Sequence, residues 1–263
     1  METYAEIAQQ EQIIRVVAPT GNGAHVFIPK EWTGEEVFVI RKIKQKTDIK
    51  SKILAALDNY LEHIEGMYLY GSYARDEADK NSDIDLLVIT DKKLSIKIKG
   101  FEIICLQQSE IDKVMKIDSL IIYSALAEAK PILNSSLLSK LRQKYSPKSN
   151  DFMKYIRETE NVIKINEKLL EPYSIIFRLR GIYLINCLLK NKEYSKKEFL
   201  SWLKRNSSNT NVNRVYEDYV NYKRTNKMNV YASDKDINSL LLLLKSETAL
   251  LKEKIHGEKR KKT

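Results

Sequence analysis

The stretch YLYGSYARDEADKNSDIDLLVI, Tyr68 to Ile89, constrains this chain more than any other part of it. It joins an apolar run to Gly71-Ser72, then a charged run, then Asp83-Ile84-Asp85, then Leu86-Leu87-Val88-Ile89. Side chains alternate along a strand, so Ile84 enters a core while Asp83 and Asp85 share the opposite face. Two like charges side by side are costly to hold without a cation. The pair therefore either sits in water at a strand start, after the Asn81-Ser82 turn, or holds metal.

Around this stretch the chain of 263 residues divides into three segments. Five of its eight glycines fall at or before Gly71, so turns crowd the start and leave the end. The expected fold class is α+β: a small β-hairpin domain over 1–45, a mixed-sheet domain over 46–134, a helical bundle over 135–255 and a basic tail over 256–263. In 11–45, QIIRVV, AHVFIP and VFVIRK read as strands, with APTGNG and KEWTGEE as turns and Pro29 just after an apolar run. Ile53, Leu54, Leu57, Leu61 and Ile64 recur at helical spacing, with Gly66 as the stop. MYLY, IDLLVI, LSIKIK and FEIICL are strand-like, the last two divided by Gly100. QQSEIDKVMK and DSLIIYSALAEAK read as helices and PILN as extended chain. Beyond Ser135 apolar faces recur only at helical spacing, including Ile175, Leu179 and Ile182 on one helix and Ile237, Leu241 and Leu244 on another.

The chain is 43% hydrophobic, enough for a sizeable core, and carries a formal net charge of +10. That surplus fits a polyanionic partner such as a nucleotide or nucleic acid, or simply Lys-rich coding in a soluble protein. Cys105 and Cys187 stand among apolar neighbours and read as small buried hydrophobes, with no disulfide framework or zinc pattern. The run Leu240 to Leu244 is too short to span a bilayer, and METYAEIAQQEQ lacks a basic and an apolar region. A cytoplasmic location and no membrane partner are expected.

Two resemblances follow from motifs. GNGAHVFIPKEW resembles the AbrB/MazE-type swapped-hairpin domain, and more closely a small archaeal transposon-associated family with the same pattern. Domains of that type dimerise and bind DNA. The resemblance implies a homodimer first, and DNA contact through Arg15, Lys30, Arg41 and Lys42 second. The fuller middle pattern, G-S-Y-A-R-(x)6-S-D-I-D-L, resembles the DNA polymerase β-like nucleotidyltransferase superfamily in its prokaryotic minimal branch, over residues 47–134. It implies an enzyme that moves a nucleoside monophosphate from an NTP, ATP by first choice, to an acceptor hydroxyl, releasing pyrophosphate. Two Mg²⁺ ions would be held by Asp83 and Asp85. The best match to the family's third carboxylate is Glu102, where the family more often has Asp.

The residues support that chemistry on physical grounds. Gly71 permits a backbone close to a phosphate, Ser72 opens a helix whose free N–H groups accept anions, and Arg75 adds a fork of donors one turn on. Two carboxylates on one face can bridge metal ions about 4 Å apart. Against this, Arg75 could pair with Asp76 or Glu77, Glu77 and Asp79 read as surface charge, and Tyr70 and Tyr73 read as core. Arg178, Arg180, Lys204 and Arg205 either line a groove or face solvent. Arg180 is followed six residues later by Asn186, not His, so the HEPN-type ribonuclease motif is absent. For the acceptor, resemblance to antitoxin members points to a tyrosine or serine of a protein partner, with an aminoglycoside-like small molecule or an RNA 3′ end open. The reading from another class is a DNA-binding regulator whose transferase fold is catalytically idle.

Overall fold

The computed structural model describes residues 13, 15, 17–37, 49–80, 82–227 and 230–260, with no side-chain detail for 258–260. It forms two compact units, 1–48 and 49–263. In the first, β1 (Ala18–Thr20) pairs antiparallel with β2 (Gly23–His25), Ala18 opposite His25. The residues Ala18-Pro19-Thr20, expected in the turn, are strand; only Gly21-Asn22 turns, with Gly21 at φ +51°. Pro29 precedes a 3₁₀ turn over Lys30–Trp32, where a fixed φ suits the first position. The expected strand VFVIRK, with Arg41 and Lys42, lies outside the described residues beyond Val37, as does METYAEIAQQEQ.

The second unit opens with α1 (Ile49–Ala56) and a 3₁₀ segment over Asp58–His63. A four-stranded mixed sheet follows, in the order β5 (Phe101–Gln107), β4 (Ile84–Thr90), β3 (Ile64–Tyr70), β6 (Lys130–Leu133). β4 and β5 are parallel; β3 runs antiparallel to β4 and to β6. Gly66 is not a helix stop. It sits inside β3 at a register shift, where a Cβ would meet the Tyr68 hydroxyl at 2.2 Å. The helical spacing of Ile53 to Ile64 is an apolar face shared by a helix, a 3₁₀ segment and a strand start.

Alternation along β4 sets the two faces of the sheet. Ile84, Leu86 and Val88 pack with Ile53 of α1 and with Leu57 just after it. Leu87 and Ile89 pack with Ile122, Ala125 and Leu126 of α4 (Ser119–Glu128) and with Leu138 and Leu141 of α5 (Ser135–Lys144). Each such buried side chain contributes about 1.5–3 kcal/mol of transfer free energy. LSIKIK is not a paired strand. It is the crossover joining parallel β4 to β5, and it keeps period-two burial because Leu94, Ile96 and Ile98 cover the α1 face. Gly100, at φ +80°, turns the chain into β5, and Phe101 N–H donates to Ile98 O at 3.1 Å.

After β5 come α3 (Ile111–Ile117) and α4, whose Leu120 and Tyr123 join the helical core. The bundle comprises α6 (Met153–Leu169), α7 (Pro172–Leu189), α8 (Lys196–Asn206), α9 (Val212–Thr225) and α10 (Asp234–Arg260). α7 buries Ile175, Ile176, Leu179, Ile182 and Ile185, more than one stripe, and is its central helix. α10 stays helical to Arg260, within the segment expected as a tail. Cys187 is buried and Cys105 half-buried, and burial pushes both thiols up. Among the described residues no helix is long and apolar enough to cross a membrane.

Candidate active site

The site is built where β3 ends. Tyr70 is extended, and the chain breaks at Gly71 into a single helical turn, α2 (Gly71–Ala74). Gly71 is required twice over. It holds φ +72°, and a Cβ there would meet Asp85 Oδ2 at 1.9 Å. Asp85, paired in register with Tyr70, thus lies directly against the turn, and the Ser72 backbone N–H donates to it.

Asp85 also pairs in register with Glu102 on the parallel neighbour β5, so both carboxylates stand on one face at one end of the sheet. Burial, and then the Glu102 charge, push the Asp85 carboxyl up to about 6, against the opposing pull of Lys223, the Ser72 N–H and Arg75. Burial, followed by Asp85, Glu102 and Glu128, raises the Tyr70 hydroxyl as well. Asp83 is exposed, one residue ahead of β4. Among the described residues no three His, Cys, Asp or Glu side chains form a metal-holding group. The sequence trio is therefore brought together as a pair, Asp85 with Glu102, with Asp83 standing off. The pair fits a divalent cation: a half-buried carboxylate held above its ordinary range by a second one is a site with surplus negative charge.

Arg75 lies one turn along, but it is occupied. Its Nε donates to Glu77 Oε2 at 2.9 Å, its Nη1 to Glu128 Oε2, and its guanidinium lies 4.9 Å from the Tyr194 ring centre. Glu77 is not surface charge. Its other oxygen accepts from Ser195 Oγ at 3.1 Å and Lys196 N–H at 2.9 Å, clamping the start of α8 onto the turn. Burial pushes its carboxyl up, but the bonds from Arg75, Lys196 and Ser195 outweigh that and hold it below its ordinary value. Asp79 is also engaged, accepting from Arg224 Nη2 at 2.8 Å. Tyr70 and Tyr73 pack partly buried against the two sheet cores.

The helical bundle supplies the facing wall. Arg180 of α7 donates through Nε to the Tyr194 hydroxyl at 3.2 Å and lies 5.3 Å from that ring. Arg178, by contrast, pairs with Glu158 and lies over Tyr155. Lys223, on the last turn of α9, is exposed and pulls on the Asp85 charge. Sequence reasoning missed Glu128, Tyr194 and Lys223, and left Arg180 between groove and solvent. Glu128 closes a mostly apolar helix, and that lone acid beside Ala129 is the one local hint.

Residues 51–145 match the family model for Polymerase beta, Nucleotidyltransferase, and are a domain of that family. No curated protein matches the sequence. Among solved structures, the spectinomycin adenyltransferase AAD(9) from Enterococcus faecialis, solved with ATP and spectinomycin, is similar at 17% identity and a TM-score of 0.48, over 76% of this chain and 96% of that one. A nucleotidyltransferase-like protein from Exiguobacterium sibiricum 255-15 is similar at 12% identity and a TM-score of 0.32, over 82% of this chain and 80% of that one.

Proposed function

From the premise that residues 51–145 are a polymerase beta nucleotidyltransferase domain, and the chain therefore a nucleotidyltransferase, we propose that it transfers a nucleoside monophosphate from ATP to an acceptor hydroxyl. The observation that carries this reading is the register pairing of Asp85 with Glu102 against the Gly71 turn. Asp83, Asp85 and Glu102 would hold divalent metal, Mg²⁺ by the chemistry of an all-carboxylate set. Bound there, the metal supplies charge neutralisation and lowers the pKa of the acceptor hydroxyl.

The chain's own residues do the rest. The Ser72 hydroxyl and the start of α2 receive phosphate oxygens, and Arg75 and Lys223 offset their charge. Glu102, on the sheet edge, takes the proton of the acceptor hydroxyl. The acceptor oxygen bonds the α-phosphorus as the bond to the bridging oxygen breaks, and pyrophosphate leaves. Positioning and charge neutralisation supply most of the rate in such a transfer. A protein tyrosine or serine is the acceptor we favour.

The test is incubation with Mg²⁺ and α-labelled ATP, with and without cell extract, beside an Asp83→Asn/Asp85→Asn protein. Metal-dependent label on a product, lost in the double variant, is the expected result. Label retained by the variant, or absent with all four NTPs, sinks the reading. Protease and nuclease digestion of the labelled product then separates a protein acceptor from RNA or a small molecule.

A further inference from the structure

Asp83 stands off from the Asp85–Glu102 pair, and the segment that carries it is tied to the helical bundle. That segment, residues 75–82, leaves α2 through Asp76 at φ +58° and is held at two points. The first is Glu77, which accepts from Ser195 and Lys196 at the start of α8. The second is Asp79. Its Oδ2 accepts from Arg224 Nη2 at 2.8 Å, across 145 residues of sequence, and its Oδ1 accepts from the Ser82 hydroxyl at 3.3 Å. The Asp79 N–H donates to Ser82 Oγ at 2.9 Å and the Ser82 N–H to the Asp79 carbonyl at 3.1 Å, closing a tight turn immediately before Asp83. The Arg224 and Asp79 side chains are each about half exposed, where an ion pair adds little to stability. What a hydrogen-bonded guanidinium does fix is the direction of its carboxylate.

We propose that Arg224 is a positioning residue for the divalent cation: through Asp79 and the Ser82 turn it sets the approach of Asp83 to the Asp85–Glu102 pair, so that the end of α9 governs metal affinity on the sheet. The proposal rests on the nucleotidyl-transfer reading, which assigns Asp83 to the metal and gives no role to Arg224 or Asp79. Charge and position make opposite forecasts for Arg224. A cation near three carboxylates repels a divalent metal, so by charge alone its loss tightens metal binding. As a positioning residue, its loss frees the turn ahead of Asp83 and weakens metal binding, as removing the outer partner of a metal ligand does.

The experiment is titration of Mn²⁺ into the full chain with α,β-methylene-ATP, which cannot release pyrophosphate, reading protein-bound metal by water proton relaxation. The same titration is run on Arg224→Ala, Arg224→Lys, Asp83→Asn and the Asp83→Asn/Arg224→Ala double variant, and each protein is melted without metal. Arg224→Ala should weaken Mn²⁺ by about tenfold, and Arg224→Lys, which keeps a charged donor, should stay within about threefold of wild type. The metal-free melting point of Arg224→Ala should stay within about 2 °C of wild type, as expected of an exposed pair. In the Asp83→Asn background, Arg224→Ala should cost nothing further, because its effect runs through Asp83. Mn²⁺ affinity in Arg224→Ala equal to or above wild type, an undiminished loss in the Asp83→Asn background, or a larger fall in melting point overturns this inference and leaves the transfer reading intact. No Mn²⁺ bound by the wild-type chain overturns both.

Discussion

The two walls of the site are built on different principles. The sheet wall carries negative charge, Asp85 and Glu102 on two neighbouring strands, with Asp83 one residue ahead of the first. The helical wall carries Arg180 and Lys223, with Tyr194 between α7 and α8. On the sheet wall, position follows from register: once β4 and β5 pair, Asp85 and Glu102 must share a face. On the helical wall, position depends on how α7, α8 and α9 pack, and no local rule sets it. The acid wall is therefore expected to fail abruptly when altered, and the cationic wall by degrees.

The largest effect is expected on the acid wall. On the proposed function, Asp85→Asn should lower transfer by about a thousandfold or more, because it removes one of the charges assigned there to the metal. It should also stabilise the fold at neutral pH. A carboxyl raised in the folded state binds protons that the unfolded chain has lost, so its burden appears as pH rises from about 4 to about 6. The wild-type chain should lose about 1–3 kcal/mol across that window relative to Asp85→Asn. Urea melts of both proteins at pH 4 and pH 7 measure this. Equal pH profiles would mean that Asp85 is not burdened by Glu102 and burial.

That asymmetry also explains what could be read in advance. The break at Gly71 and the placing of Asp85 on a strand beside Glu102 were legible because a turn and a period-two strand leave few placements, whereas Asp83, expected to share that strand face, lies ahead of the strand. Residues at helix ends and in interhelical loops were not, since Glu128 and Tyr194 acquire their roles only through contacts with Arg75 and Arg180, 53 residues from Glu128 in the first case. Glu77 was misjudged for the same reason, as its partners Ser195 and Lys196 lie in the bundle. LSIKIK shows the limit of periodicity itself. Alternating burial marks one buried face, and a crossover segment laid on a sheet has that face without ladder bonds.

A second test attacks the turn that joins the walls. Gly71→Ala must hold φ +72° with a methyl inside the Asp85 carboxylate. A cost of about 2–4 kcal/mol is expected, from backbone strain plus overpacking. A melting point within 1–2 °C of wild type, a shift smaller than about 1 kcal/mol allows, would show that Asp85 can move aside. On the cationic wall, Lys223→Glu should raise the KM for ATP by about tenfold at low salt and by less at 0.5 M salt, since an exposed charge is screened. A change in kcat alone, independent of salt, would place Lys223 in the chemistry rather than in charge balance.

The smallest effect is expected from removing residues 1–48 altogether. Among the described residues, the cores that support both walls draw on residues from Ile49 onward, from Ile53 beneath β4 to Ile255 in the last helix. The first compact unit ends at Asp48, before the first of them. A chain beginning at Ile49 should therefore melt cooperatively and bind ATP within about twofold of the full chain. If the hairpin unit dimerises, as GNGAHVFIPKEW suggests, the same truncation should halve the particle mass in light scattering without touching ATP affinity. Loss of both together would mean that the N-terminal unit completes the site. The acid and cationic walls described above would then be only part of it.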